Sequence, residues 1–162
     1  MSTAHKIVSL AALAKKVVAL RKAGKKIIFT NGCFDLLHFG HVCCLESIKA
    51  GNMILIVGLN SDASVRAIKA RGRPIQDQRA RARVLAALAC VDYVTIFSQP
   101  TPYRVIKALK PDVLVKGADW KGKRVVGEDI VRAHAGHIKL VKYVKGFSTT
   151  QIIEKIVTQC RA

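Results

Sequence analysis

The stretch Lys26-Ile27-Ile28-Phe29-Thr30-Asn31-Gly32-Cys33-Phe34-Asp35-Leu36-Leu37-His38-Phe39-Gly40-His41 decides the fold. Its opening, 26–30, is a short run rich in β-branched and aromatic residues and predicts a strand. A polar turn with glycine follows, and helical periodicity begins at His41 and runs over 41–50. The alternation then repeats along the chain. Strands are predicted over 53–59, 93–97, 113–116 and 138–144, and helices over 9–22, 63–69, 80–90, 102–109, 128–135 and 149–158. Parallel neighbours need crossover connections, and strand-helix order supplies them. The expected fold is α/β: a doubly wound, mainly parallel five-stranded sheet with helices on both faces. With no repeat, low-complexity tract or Pro/Ser-rich linker, 1–162 reads as a single domain, with 1–24 a helical extension at its N-terminus.

Composition narrows the function classes. Apolar residues make up 51% of the 162 positions, enough for a substantial core. Runs such as Met53 to Val57 are far short of the roughly 20 residues a membrane helix needs, so the expectation is a soluble, cytoplasmic protein that is not embedded in a membrane. The apolar stretch 7–20 is broken by Lys15 and Lys16 and has no small-residue cleavage site after it, which favours an amphipathic helix over a leader. Five cysteines, Cys33, Cys43, Cys44, Cys90 and Cys160, lack zinc-ligand spacing and read as reduced core-filling thiols. Lys and Arg outnumber Asp and Glu by 28 to 10, a formal charge of +18 that attracts polyanions. That leaves nucleic acid or small phosphates; basic residues are scattered along the chain and 6% aromatics give little material for base-stacking platforms, but charge alone does not choose between the two.

In doubly wound sheets ligands collect beyond the carboxyl ends of the strands. After the first strand come Asn31 to His41; after the others come 60–62, 98–101 and 117–120. A helix N-terminus with unpaired N–H groups is a natural anion site. Gly32 and Gly40 are read as removing side chains where phosphate approaches, and His38 and His41, three residues apart, share one side of the first turn. Two imidazoles facing the same phosphates can stabilise charge that develops on a phosphoryl group in an in-line displacement. Asp35 either orients His38 or bonds nearby backbone amides, as Asp does in turns. Asp62 is expected to cap the helix after it. His134 and His137 read as charge complement and surface loop around Gly136, and His5 has no assigned role.

The run from Thr30 to His41 resembles the signature of the nucleotidyltransferase superfamily that contains glycerol-phosphate cytidylyltransferases. Asn60 to Val65, Arg73-Pro74, Val91 to Tyr93, Lys110 to Trp120 and Ser148 to Thr150 are similar to the nucleotidyltransferase half of bacterial heptose kinase/adenylyltransferases, over about 27–156. The resemblance implies a Rossmann-like nucleotidyltransferase fold. It implies transfer of AMP from ATP to D-glycero-β-D-manno-heptose 1-phosphate, giving ADP-heptose and pyrophosphate without a covalent enzyme intermediate. Mg²⁺ would be held mainly by the ATP phosphates, with no protein side chains as metal ligands, and the chain would form a homodimer. His38 and His41 would hold the triphosphate, with Lys69 and Arg81 as further catalytic contacts to phosphate. Nucleotide would be bound by Thr30, Asn31, Gly32, Cys33, Phe34, Asp35 and Gly40, by Gly117, Asp119 and Trp120, and by Ser148, Thr149 and Thr150. Arg71, Arg73, Arg79 and Arg83 read as a solvated basic face; Arg79 departs from the family, whose members carry an uncharged or acidic side chain there. Two other readings compete. One is a cytidylyltransferase that uses CTP and glycerol 3-phosphate or another polyol phosphate. The other, from charge alone, is a basic nucleic-acid-binding module, which predicts salt-sensitive affinity for DNA or RNA.

Overall fold

The computed structural model describes residues 2–160. Five strands form one parallel sheet: β1 (Lys26–Gly32), β2 (Met53–Asn60), β3 (Tyr93–Phe97), β4 (Val113–Gly117) and β5 (His137–Val141), in the order β3-β2-β1-β4-β5. Seven α-helices lie among them: α1 (Leu10–Lys22), α2 (Phe39–Ile48), α3 (Asp62–Ile68), α4 (Gln78–Ala87), α5 (Tyr103–Leu109), α6 (Glu128–Ala133) and α7 (Thr149–Gln159). Short 3-10 turns at Thr3–Lys6 and Ala118–Trp120 are the elements periodicity did not predict.

Side chains alternate across a strand, and the two faces of the sheet carry separate cores. On one face Ile28, Leu55, Val57, Val113 and Val115 meet Leu45 and Ile48 of α2 and Leu85 of α4. On the other, Ile27, Phe29, Ile56 and Leu114 meet Leu13 and Val17 of α1, Ile106 of α5 and Val131 of α6. The N-terminal helix therefore buries its apolar stripe on the sheet. Ahead of it, Ile7 bridges Val94 along the free edge of β3, and Val8 N–H donates to the Val94 carbonyl at 2.9 Å. An edge strand covered in this way no longer offers its backbone to other chains. Helix α7 differs: it is amphipathic, yet none of its side chains is buried.

The chain leaves β1 toward β2 and β3, then returns to build β4 and β5 on the other side. The strand order thus reverses between β1 and β4, and a crevice opens beyond their carboxyl ends. Asp112 and Asp92 fix this frame from below. Asp112 accepts from Ile27 N–H at 2.8 Å, and Asp92 from Leu55 N–H at 2.6 Å. Arg21 and Lys49 pair with these two carboxylates.

Candidate active site

Helix α2 starts two residues earlier than periodicity predicted. His38 is its N-cap, in extended backbone (φ −141, ψ 169), and its side chain makes no capping bond. The ring is therefore free to leave the helix end, and it stacks on His41 with centroids 3.7 Å apart and planes 21° from parallel. Phe34, at φ +44, tilts against His41 at 5.0 Å. Both Nδ1 atoms are buried and have no hydrogen-bond partner. Burial, and secondly the neighbouring His38, push His41 down to about 4; burial also lowers His38. At neutral pH the pair is uncharged, so each ring has one N–H donor and one acceptor nitrogen. Buried polar atoms without partners are rare. Two of them beside the free N–H groups of a helix start point to an anion with several oxygens.

The two glycines lie against aromatic rings. A Cβ on Gly32 would come within 3.0 Å of the Phe34 ring, and one on Gly40 within 3.2 Å of Phe147 and 3.3 Å of the His38 ring. The absence of a side chain at both positions thus makes room for the rings that frame the histidines.

Behind the loop lies a network of charges. Asp35, 2% exposed, pairs with Arg73 and accepts from the N–H groups of Ile75 at 2.7 Å and Gln76 at 3.1 Å. It does not orient His38. Instead it anchors the segment before α4, using backbone amides forty residues along rather than those of its own turn. Arg81, 1% exposed, donates to the carbonyls of Gln76 (3.0 Å) and Cys33 and pairs with Asp62 at 2.7 Å. The expectation of a phosphate contact is corrected here to a brace that holds the Cys33 turn from inside. Because Arg81 takes its carboxylate, Asp62 is not the cap of α3; Ser61 is, accepting from Ser64 N–H at 3.2 Å. Burial raises the Cys33 thiol, while Lys69 is near enough to pull it the other way. Lys69 itself is exposed at the end of α3 and remains free to reach a ligand, and Arg71 and Arg79 are exposed as a solvated face should be.

Across the crevice, Thr30 donates to the Val115 carbonyl at 3.3 Å and so ties β1 to β4. Asn31 accepts from Lys116 Nζ, which lies 5.2 Å from the centre of the Trp120 ring. Desolvation lowers Lys116 to about 8, with Asp119 acting against it. Asp119, exposed, accepts from Tyr143 Oη at 2.8 Å, and that hydroxyl lies over Gly117, where no Cβ would fit. Burial, then Asp119, push Tyr143 up to about 12. Ser148 caps α7 by accepting from Gln151 N–H at 3.1 Å. Thr149 donates to the Leu36 carbonyl at 3.4 Å, and Phe147 meets Phe39 at 5.0 Å, which brings the last helix onto the first loop; Thr150 is exposed.

The structure thus gathers His38, His41, Gly40, Phe34 and Thr149 on one side of the crevice and Asn31, Gly117 and Trp120 on the other. Lys116 and Tyr143 were missed as site residues. Lys116 had a visible signal, a lone cation at the end of the apolar run Val113-Leu114-Val115; Tyr143 arrives from beyond β5 and had none.

Comparison with known proteins gives the same outline. The model of a family described as cytidylyltransferase-like matches residues 29–155. A protein called "Bifunctional protein HldE" from Geobacter metallireducens is 53% identical over 152 residues, covering 94% of this chain and 31% of that protein. Its namesake in Wolinella succinogenes is 50% identical, again over 94% of this chain and 31% of its own. The chain therefore spans about a third of the length of the curated relatives it matches. The crystal structure of a lipopolysaccharide core biosynthesis protein from Thermoplasma volcanium superposes with a TM-score of 0.60 at 24% identity, over 75% of this chain and 98% of that one, and has the same fold.

Proposed function

Because the chain belongs to the cytidylyltransferase-like family, we propose that it moves AMP from ATP to a sugar 1-phosphate, releasing pyrophosphate, with D-glycero-β-D-manno-heptose 1-phosphate as acceptor and ADP-heptose as product. The observation that carries the transfer chemistry is the stacked His38–His41 pair, whose two buried Nδ1 atoms lack partners at the start of α2. Each imidazole can donate one hydrogen bond to the phosphate chain. As the bond from the α-phosphorus to its bridging oxygen breaks, negative charge moves onto the departing pyrophosphate, where those donors and the helix N–H groups receive it. The nucleophile is an oxygen of the acceptor's own phosphate, so no enzyme-bound intermediate forms. Lys69 supplies an exposed cation, and Gly117, Asp119, Trp120 and the Ser148 to Thr150 turn hold the nucleoside side.

Asp35 is fully engaged and Asp119 already accepts from Tyr143. Among the described residues no group of three His, Cys, Asp or Glu is placed to hold a metal. Mg²⁺ would enter with ATP, held mainly by the phosphates of that substrate. No helix among the described residues is long and apolar enough to cross a membrane. A cytoplasmic, single-domain homodimer completes the proposal, and sedimentation of the pure protein checks the dimer.

Pyrophosphate release measured over a nucleotide and acceptor panel tests the reading. ATP with the β-heptose 1-phosphate is expected to outrun CTP with glycerol 3-phosphate. His41→Ala is expected to lose about 10²- to 10³-fold in turnover with its melting curve intact, the scale of one removed charge-stabilising donor. Full turnover in that variant would sink the mechanism, and preference for CTP would move the chain to the polyol-phosphate branch.

A further inference from the structure

Lys116 is 8% exposed, and its ammonium has three N–H donors. Among the described residues its recorded hydrogen bond is to Asn31 Oδ1, and the Trp120 ring lies beside it at 5.2 Å. Two donors of a nearly buried cation are thus left without protein acceptors. A charge in that condition destabilises a fold, and replacing it with an apolar side chain is often neutral or stabilising. Its place is the crevice between β1 and β4, where bound ligands belong. The group that completes it is a phosphate, whose oxygens accept several charged hydrogen bonds at once. The facing charge of Asp119 is moderated by the Tyr143 hydroxyl.

Which phosphate follows from the faces of the sheet. Phe29 and Leu114 belong to the core under α1, α5 and α6, so Asn31 and Lys116, each two residues further along the same strands, lean to that face. Helix α2, with His38 and His41 at its start, packs on the opposite face. In an in-line displacement the attacking and leaving oxygens stand on opposite sides of the phosphorus. With pyrophosphate leaving toward the histidines, the nucleophile approaches from the side of Lys116. Building on the transfer reading above, we infer that Lys116, steadied by Asn31 and Trp120, is the seat for the phosphate of the acceptor sugar. Its oxygen attacks the α-phosphorus there, the bond to the bridging oxygen breaks, and the electron pair leaves with pyrophosphate.

The test uses the full chain with Lys116→Met, Lys116→Arg and Asn31→Ala. Lys116→Met is expected to raise the KM for β-heptose 1-phosphate roughly 10- to 100-fold, the scale of a lost charged hydrogen bond. The calorimetric dissociation constant for ATP stays within about threefold. Lys116→Arg restores part of the acceptor KM, and Asn31→Ala, which leaves the cation in place but unanchored, raises it less than the Met variant. If Lys116→Met fails to fold, the other two variants decide by the same KM criterion. Weakened ATP binding with an unchanged acceptor KM would overturn the assignment, as would no change in either. Calorimetry of β-heptose 1-phosphate in the presence of a non-hydrolysable ATP analogue separates this failure from failure of the transfer reading. Binding by the wild type that is lost in Lys116→Met upholds the seat even if no pyrophosphate is released, and absence of binding in the wild type refutes it.

Discussion

At the scale of single residues, His41 and Arg81 look alike in sequence, as polar groups near a phosphate loop, and act in opposite ways. His41 is half-buried and uncharged, with a pKa of about 4 in the fold against 6.5 in an unfolded chain. Acidification therefore protonates the unfolded state first. Stability is full above pH 6.5 and falls as pH drops toward 4, by roughly 1–3 kcal/mol for this group. Urea titrations at pH 7 and pH 5 check this: His41→Gln, which cannot take the proton, is expected to lose less stability between the two than the wild type. Arg81 carries a buried charge whose partners are all protein groups. Arg81→Met leaves Asp62 without its cation and the Cys33 carbonyl without its donor, and is expected to destabilise by about 3–5 kcal/mol. Thermal melting reads it; a variant that melts like the wild type but cannot bind ATP would return Arg81 to the ligand. Residue identity in the loop was legible, but partnership was not. Arg81 finds Asp62 across 19 residues, and Asp35 finds Ile75 across 40, separations over which local pattern carries no information.

At the scale of elements, the strands were legible because each is a short run rich in β-branched or aromatic residues, nearly continuous and apolar in β2 and β4 and interrupted by lysine in β5, and their predicted ends differ from the observed ones by no more than three residues. Helix starts were harder. His is not a capping residue, so the start of α2 at His38 gave no signal, while Ser61 and Asp62 are both capping types and the long-range partners that separate them, Phe97 for Ser61 and Gln78 and Arg81 for Asp62, are invisible to local pattern. Strand β2 has a constraint that sequence hides entirely. Gly58 pairs with Asn31, and a Cβ on it would lie 2.6 Å from the ring of Phe29, a side chain with no exposure and no room to retreat. Gly58→Ala is expected to destabilise by about 1–3 kcal/mol and lower the melting temperature by a few degrees. Differential scanning calorimetry measures both, and an unchanged melting temperature would show that Phe29 can move.

At the scale of the whole molecule, the +18 charge acquires a distribution. Among the described residues five ion pairs, those of Asp35, Asp62, Asp92, Asp112 and Glu128, engage half of the ten acidic side chains. Each pair engages one basic side chain as well, so the excess of +18 stays with the remaining residues, and for the transfer proposed above, whose two substrates are both phosphorylated, the positive field of that excess would accelerate encounter. The kcat/KM for ATP is expected to fall roughly tenfold between low and physiological ionic strength, while kcat changes little. Stopped-flow binding at graded salt checks it, and a flat profile would remove steering as the reason for the charge. The crevice at the centre of this field has one more property. Asn31 and Lys116, which meet where β1 and β4 border it, are 85 positions apart in the chain. During synthesis β1, β2 and β3 emerge well before β4, and until β4 arrives β1 has a bare edge of unpaired N–H and C=O groups. The pairing of β4 with β1 thus closes that edge and brings the crevice into being in one event, so covering β1 and forming the site are a single step.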